Sequence, residues 1–259
     1  MSCEPPTCLQ VSLVQAASGL EPADNRALLD RLTPAGADLV VFPEAFARDF
    51  GEPGSDVSGE AEPVDGPFAT EVARVAQARR TTIVAGMFET STDPARPFNT
   101  LVARGAVEAT YRKIHLYDSF GFCESDRITA GPLTPQVVDL HGFRVGLMTC
   151  YDLRFPELAR ELSAAGAEVL VLPAAWVAGA HKVEHWRTLA RARAIENVAY
   201  VVAVGQPGPR YTGHSLVVDP WGEVVVEAGA AGEVLHATLE RAALEEARAA
   251  NPSLGNRRL

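Results

Sequence analysis

The sequence lacks any apolar run of roughly eighteen residues, the length a helix needs to cross a bilayer, so no membrane span is expected. The first segment, MSCEPPTCLQVSLVQAA, has no basic region followed by an apolar one, which argues against a secretory signal peptide. Cysteine is scarce, and Cys3, Cys8, Cys123 and Cys150 show no CxxC spacing, which disfavours a zinc site. We therefore expect a protein of the reducing cytoplasm, without disulfides.

Excess positive charge and the common cofactor motifs are also missing. A net charge of −10 argues against nucleic acid and anionic membrane surfaces as partners. No G-x-G-x-x-G or Walker-type loop occurs, so nothing indicates a nucleotide cofactor. His181 and His185 stand at helical spacing, but the H-E-x-x-H pattern is absent. The sequence therefore predicts neither a metal nor a cofactor.

The residues that are present indicate a folded α/β domain. The chain has 259 residues, of which 47% are hydrophobic and 22% charged, enough to bury a sizeable core. Short β-like runs alternate with helical stretches, and there is no linker, low-complexity tract or short repeat. We expect a single domain over residues 1–259, and its several hairpins predict mixed sheets.

Hydrophobic periodicity and turn residues place the individual elements. Helices are predicted from residue 25 until Pro34 and Gly36 stop the first one, and at 66–80, 155–165, 184–199 and 241–253. Strands are predicted at 8–16, 38–44, 81–89, 143–150, 167–176, 199–206 and 233–240, with hairpins at 99–115, turning at Gly105, and at 213–229.

Three chemically capable side chains end predicted strands from distant parts of the chain. Glu44 ends DLVVFPE, Lys113 ends EATYRK, and Cys150 ends FRVGLMTC. In an open sheet such strand ends converge on one crevice, where ligands bind. A thiol beside a carboxylate that takes protons and a cation that stabilises negative charge is a nucleophilic arrangement. Each residue alone also fits a structural role, so the hypothesis depends on their joint placement.

The segments around these residues resemble one known family. VVFPEAF, YRKIHLYD and GLMTCYDLRFPELARELSAAGAEVLVLPAAW are similar to the three signatures of the nitrilase superfamily of carbon–nitrogen hydrolases. HWRTLARARAIENVAYVVAVGQ and GHSLVVDPWGEVV also resemble that family. In the family, each signature carries one member of a Glu-Lys-Cys triad, in this chain order. The resemblance implies a four-layer α-β-β-α sandwich and hydrolysis of a C–N bond through a cysteine thioester.

The same resemblance implies a role for each residue. Cys150 is the expected nucleophile, and the helix N-terminus expected after it would favour the thiolate. Glu44 is the expected general base, which takes the thiol proton, protonates the departing nitrogen and then activates water. Lys113 and the backbone N–H of Tyr151 are the expected donors to the tetrahedral oxyanion.

Three further residues are candidates for the substrate site. Glu124 matches a glutamate that many family members place beside the triad, where it would position the amide or hold Lys113. Two interpretations of Arg154 stay open: a fork that binds a substrate carboxylate, or a structural ion pair with an acid such as Glu157. Trp176 either walls the pocket or packs in the core.

Other polar residues near the motifs are expected to be structural. Asp152 would anchor the turn after the nucleophile through backbone hydrogen bonds, and His115 is not needed by this chemistry. Ser215 lacks the G-x-S-x-G elbow of a serine nucleophile, and the DPWG that follows is a hairpin turn. Cys123 is not expected to be catalytic.

The motifs look most like the amidase branch that includes deaminated glutathione amidase and ω-amidase. We therefore expect a small linear amide that carries a carboxylate, hydrolysed with release of ammonia or an amine. A carbamoylase acting on N-carbamoyl amino acids and a nitrilase are the alternatives within enzymes, and an idle scaffold that kept the fold is the alternative outside them. The resemblance also implies a homodimer or higher homo-oligomer.

Overall fold

Two six-stranded sheets form the centre of the structure, a computed structural model that describes residues 7–258; Cys3 lies outside the described residues. The first sheet contains β1 (Cys8–Gln15), β2 (Leu39–Val41), β3 (Thr82–Glu89), β4 (Phe98–Arg104), β5 (Ala109–Arg112) and β14 (Glu233–Glu240). The second contains β8 (Val137–Leu140), β9 (Phe143–Leu147), β10 (Val169–Ala174), β11 (Tyr200–Gly205), β12 (Leu216–Val218) and β13 (Val224–Glu227). A small separate hairpin consists of β6 (Asp118–Ser119) and β7 (Phe122–Cys123).

Both sheets are mixed, as the hairpins predict. The strand order is β14-β1-β2-β3-β4-β5 in the first sheet and β13-β12-β11-β10-β9-β8 in the second. Strands β1, β2 and β3 run parallel, as do β9, β10 and β11, and the outer pairs are antiparallel. The parallel strands β2, β3, β10 and β11 are buried throughout, which explains their continuous apolar sequences.

Helices cover the outer faces of the two sheets. They are α1 (Pro22–Leu32), α2 (Pro67–Arg79), α3 (Pro156–Ala164), α4 (Lys182–Asn197) and α5 (Arg241–Ala250). The helices α1, α2 and α3 have proline in the first turn, where the missing N–H costs nothing. None of the helices in the described part of the chain is long and apolar enough to cross a membrane.

The hydrophobic core explains the layers. One large cluster contains side chains of both sheets and continues to α3 and α4, for example Leu13, Leu147 and Trp186. A second cluster joins the outer face of the first sheet to α1 and α2, for example through Leu29 and Phe68. The order is therefore helices, sheet, sheet, helices, and the predicted four-layer α-β-β-α sandwich is confirmed.

The predicted strand ends need one adjustment that matters for the site. Strands β2, β5 and β9 end at Val41, Arg112 and Leu147, so the three candidate residues lie in the loops just beyond them rather than in the strands. These loops turn sharply: the backbone of Cys150 has φ of 46°, a left-handed conformation that is unfavourable for a residue with a Cβ. The candidates thus lie on bends that a strand pattern does not reveal.

Candidate active site

Glu44 and Lys113 meet in a buried cluster of charge. The Nζ atom of Lys113 donates to Glu44 Oε1 at 2.9 Å and to Glu124 Oε2 at 2.9 Å. The three side chains are no more than 3% exposed. Asn99 joins the two carboxylates, because its Nδ2 donates to Glu44 Oε1 at 2.7 Å and to Glu124 Oε1 at 3.2 Å. One ammonium and one amide therefore hold two glutamates side by side.

Charge keeps Lys113 protonated in this setting. Burial alone would lower the pKa of Lys113, but the carboxylates of Glu124 and Glu44 outweigh it and raise that pKa well above its usual value. Glu124 is itself fixed by a backbone donor, since the N–H of Tyr117 lies 2.6 Å from Glu124 Oε2. The structure therefore brings together Glu44, Lys113 and Glu124. Two roles are expected for Glu124, positioning the amide and holding Lys113, and its hydrogen bonds with Lys113 fit the second.

Backbone packing sets the position of Glu44. Its Oε2 accepts a hydrogen bond from the N–H of Ala175 at 2.7 Å, and its carbonyl accepts one from Gln206 Nε2 at 3.0 Å. The loop lies directly on Gly86 of β3: a Cβ there would stand 2.4 Å from the backbone nitrogen of Ala45. Only glycine lets the loop approach the strand so closely.

The turn that carries Cys150 is anchored by Asp152. A 3-10 turn runs from Cys150 to Arg154, and Asp152 Oδ2 accepts from the N–H of Thr149 at 2.8 Å. The same carboxylate accepts from the hydroxyl of Tyr111 at 2.6 Å and from the N–H of His115 at 3.1 Å. Asp152 thus ties the turn to the β5 loop, as its predicted anchoring role requires, and His115 takes part in that structural contact.

The surroundings of the Cys150 thiol favour its neutral form over the thiolate. Burial raises the pKa of Cys150 well above its usual value, the Glu44 carboxylate raises it further, and the Lys113 ammonium opposes them. The stabilisation of the thiolate that was expected from a helix N-terminus therefore does not determine the pKa of Cys150. Helix α3 begins only at Pro156, six residues after the cysteine, and Cys150 is packed within the large apolar cluster. Ionisation of this thiol requires a base.

Aromatic rings and two cations, Arg154 and Lys182, form a second cluster around Trp176. The Cζ atom of Arg154 is 4.8 Å from the centre of a Trp176 ring, and the Nζ atom of Lys182 is 5.6 Å from it. Lys182 also stands 4.0 Å from the ring centre of Phe120 and 3.2 Å from the hydroxyl of Tyr117. Trp176 is buried at 3% exposure, so it both packs in the core and presents a face to these cations.

Arg154 has no acidic partner in residues 7–258. No carboxylate of the described chain lies within salt-bridge distance, so the alternative ion pair with Glu157 is not formed. Its Nη2 is 3.4 Å from His185 Nδ1, and its buried Nε has no hydrogen-bond partner. A guanidinium with an unused donor is suited to an anionic ligand.

The residues expected to be structural lie in structural settings. Ser215 is fully buried and its Oγ donates to Gln15 Oε1 at 2.7 Å. Cys123 is exposed on β7 and its sulfur contacts the hydroxyl of Ser125 at 3.4 Å. Across residues 7–258, no group of histidine, cysteine, aspartate or glutamate side chains has the arrangement of a metal site.

Sequence reasoning missed Asn99 and Lys182. Asn99 is the second residue of β4, inside a predicted hairpin, where no local pattern separates it from any other strand residue. Lys182 did carry a signal, because it is the only lysine of the sequence besides Lys113. Both residues acquire their contacts from segments that are far away along the chain.

Comparison with known proteins gives the same family over nearly the whole chain. Residues 10–249 match the carbon-nitrogen hydrolase family. The chain is 44% identical to a hydrolase of Mycobacterium tuberculosis over 255 residues, covering 90% of this chain and 89% of that protein. It is 41% identical to deaminated glutathione amidase of Escherichia coli O157:H7, covering 85% and 84%. It is 37% identical to 2-oxoglutaramate amidase of Paenarthrobacter nicotinovorans, covering 86% and 79%.

Solved structures agree with the sequence matches. A superfamily protein of Xanthomonas campestris, crystallised with an arsenic adduct in its active site, superposes with a TM-score of 0.86 at 30% identity, covering 97% of this chain and 98% of that one. A mutant amidase of Nesterenkonia sp., with the acetamide moiety of fluoroacetamide added covalently at its active-site cysteine, superposes with a TM-score of 0.79 at 26% identity, covering 100% and 96%. By sequence and by fold, this chain belongs to the carbon-nitrogen hydrolase family.

Proposed function

We propose that the protein hydrolyses small linear amides that carry a carboxylate, through a thioester on Cys150. The observation that carries the proposal is the buried cluster in which Lys113 joins Glu44 to Glu124 beside a protonated thiol. Relatives named deaminated glutathione amidase and 2-oxoglutaramate amidase support an amide as the substrate. The chemistry needs only groups that this chain supplies.

In the first half of the reaction, Cys150 attacks the amide carbon. The thiol proton moves to Glu44 as the S–C bond forms, so no free thiolate has to accumulate in the buried site. The carbonyl electron pair moves to oxygen, where the Lys113 ammonium and the N–H of Tyr151 stabilise the charge. Collapse of this intermediate breaks the C–N bond, and Glu44 gives its proton to the departing nitrogen. Ammonia or an amine leaves, and an acyl thioester remains.

In the second half, water cleaves the thioester. Glu44 takes a proton from the water as its oxygen bonds to the acyl carbon, and the oxyanion again lies near Lys113 and Tyr151. Collapse breaks the C–S bond, the proton returns to sulfur, and the carboxylic acid departs. Glu124 acts through Lys113: its carboxylate holds the ammonium in place and keeps it charged.

The carboxylate of the substrate is assigned to Arg154. This guanidinium lies in the turn that begins with the nucleophile, has no acidic partner among residues 7–258, and retains a buried Nε without a hydrogen bond. Arginine binds carboxylates with two parallel N–H donors, which also fixes the orientation of the bound molecule. Trp176 supports the guanidinium from one face.

The test is a panel of amides, nitriles and N-carbamoyl amino acids, with detection of ammonia, carbon dioxide and acid product. We expect turnover of carboxylated amides, a Cys150 acyl adduct in the intact mass during turnover, and its loss in Cys150→Ala. Release of carbon dioxide together with ammonia would favour a carbamoylase, and turnover of nitriles alone would favour a nitrilase. No turnover of any compound would favour a scaffold.

Alkylation by iodoacetamide tests activation of the thiol separately. We expect Glu44→Gln to slow modification of Cys150 at neutral pH, because loss of the proton acceptor outweighs the lower thiol pKa that removal of the carboxylate charge would cause. The exposed Cys123 in the same sample is the internal control, and its modification rate should not change. Rapid modification of Cys150 that is the same in both proteins would contradict the role of Glu44.

A further inference from the structure

Lysine is nearly absent from this protein, and the positions that keep it are informative. The sequence contains two lysines and 21 arginines. Lys113 lies in the charged cluster, and Lys182, the first residue of α4, contacts Tyr117, whose backbone N–H donates to Glu124 of that cluster. Arginine serves as the cation everywhere else, in surface ion pairs such as that of Arg74 with Glu71. A compact ammonium at position 182 therefore needs its own explanation.

The surroundings of Lys182 are not those of a structural lysine. Lys182 as a residue is 7% exposed, and its Nζ atom faces the rings of Phe120, Tyr117 and Trp176 at 4.0, 5.3 and 5.6 Å from their centres. Its hydrogen bond to a protein atom goes to the neutral hydroxyl of Tyr117. In the described residues, no carboxylate lies within salt-bridge distance of this ammonium. Buried lysines are usually paired with acids, and this one is not.

Lys182 and Arg154 share the same aromatic wall. The Trp176 ring contacts both, at 4.8 Å from the guanidinium carbon and 5.6 Å from the ammonium. Burial and then the charge of Arg154 lower the pKa of Lys182, while a thiolate at Cys150 would oppose them. Two unneutralised cations held together in a partly buried place are unfavourable unless a ligand brings negative charge.

We propose that these two residues bind the 2-oxo carboxylate end of the substrate, Arg154 holding the carboxylate and Lys182 the oxo oxygen beside it. The proposal rests on the proposed function, because it specifies the amide that enters that site. A planar guanidinium fork matches the two oxygens of a carboxylate, and a point-charge ammonium suits a single carbonyl oxygen. The two different ligand groups explain why position 154 is arginine and position 182 is lysine.

The same arrangement rejects the corresponding amino acids. A 2-amino amide such as glutamine presents an ammonium where the 2-oxo compound presents an oxygen, and that ammonium would lie against Lys182. Like charges brought together at close range oppose binding, which is how many sites exclude a related ligand. Lys182 is thus a specificity-determining residue that separates 2-oxo from 2-amino acid amides.

The kinetic test compares 2-oxoglutaramate, glutaramate and glutamine, which differ only at the second carbon. In Lys182→Met we expect KM for 2-oxoglutaramate to rise roughly ten- to a hundredfold, the cost of one hydrogen bond to a charged group, with kcat changed far less. KM for glutaramate, which lacks the oxo oxygen, should change little, and the preference over glutamine should fall at least tenfold. Lys182→Arg should keep part of that preference, because it keeps the charge.

A binding measurement makes the result independent of turnover. Calorimetry on Cys150→Ala, with and without Lys182→Met, would compare 2-oxoglutarate with glutarate. We expect 2-oxoglutarate to bind more tightly than glutarate only when Lys182 is present. Glu184→Gln is the matched control, since this charge on the same helix is exposed and contacts Thr188 instead.

The outcomes separate the two proposals. Equal affinity for 2-oxoglutarate and glutarate, or ratios that Lys182→Met leaves unchanged, would overturn the role of Lys182 even if amides are hydrolysed. Absence of hydrolysis, with selective binding of 2-oxoglutarate, would overturn the proposed function and leave the binding site supported.

Discussion

Replacement of Lys113 by methionine is the sharpest perturbation of the buried charge cluster. Methionine has a similar length and fills the space, but it has no charge and no donor. In the wild-type chain the ammonium lies 2.9 Å from Glu44 and 2.9 Å from Glu124, with all three side chains at most 3% exposed. The variant would leave two buried carboxylates facing each other, with only Asn99 between them.

The magnitude follows from that geometry. Breaking a buried ion pair by removing one partner costs about 3–5 kcal/mol, because the remaining charge is left uncompensated. Here one cation serves two acids, so the upper half of that range, about 4–5 kcal/mol, is expected. For a chain of this size each kcal/mol lowers the melting temperature by roughly 2–4 °C, which gives a decrease of roughly 8–20 °C.

Thermal unfolding by calorimetry is the assay, and two more variants complete it. Lys113→Met with Glu124→Gln should recover a large part of the loss, because the second change removes one of the two unpaired charges. Arg74→Met is the matched control: Arg74 also lies between two acids, 2.6 Å from Asp30 and 2.7 Å from Glu71, but it is 52% exposed. Its loss should hardly change the melting temperature, since solvent screens the pair.

The pH dependence of the effect has a definite sign. The neighbouring carboxylates raise the pKa of Lys113 above the ordinary 10.5, against the effect of burial. When folding raises the pKa of a group, its stabilising effect is complete at any pH below its pKa in the unfolded chain. The effect is lost only as the pH rises through its pKa in the folded protein. The difference between wild type and Lys113→Met should therefore stay constant between roughly pH 7 and 9. A Lys113→Met protein that melts within a degree or two of wild type would refute the reasoning.

Three further predictions concern the loops around the cluster. In Gly86→Ala the new Cβ would stand 2.8 Å from the Cα of Glu44. We therefore expect urea unfolding to show roughly 1–3 kcal/mol of destabilisation, together with a loss of activity. Gly59→Ala is the control, since Gly59 has open space around it, and it should change neither quantity. Asp152→Asn exchanges one acceptor oxygen of the turn anchor for a donor, and should cost roughly 1–3 kcal/mol in the same assay; an unchanged midpoint would contradict the anchoring role. Burial raises the pKa of Cys150, so its alkylation rate should still be rising at pH 9, and a rate that is already maximal at pH 7 would be inconsistent with a protonated thiol.

Local patterns in the sequence predicted the helices α1 to α5 and most strands of this protein, but not β8 or the small β6–β7 hairpin. Apolar alternation predicted the strands, and proline and glycine marked their ends, because these signals depend on neighbours a few residues away. The mixed sheets predicted from the hairpins were confirmed, and so were the four-layer sandwich and the carbon-nitrogen hydrolase family, which the resemblance of the motifs implied. Glu44, Lys113 and Cys150 could be singled out because each stands at the end of a predicted strand.

Contacts between distant segments were decided only by the tertiary structure. Asn99 reaches Glu44 across 55 residues and Lys113 reaches it across 69, and no periodicity encodes such distances. The absence of an ion pair between Arg154 and Glu157 likewise depends on how the turn and α4 pack, although the two residues are close in sequence.

The pKa of the Cys150 thiol also depends on the tertiary structure rather than on the local sequence. From the sequence, Cys150 stood before a helix, and a lowered pKa was the natural expectation. In the folded chain, burial and the Glu44 carboxylate outweigh Lys113 and raise that pKa. Ionisation depends on the dielectric surroundings and on charges that converge from three separate loops. The sequence determined which groups are available, and only the packing of the two sheets decided how strongly each acts on the others.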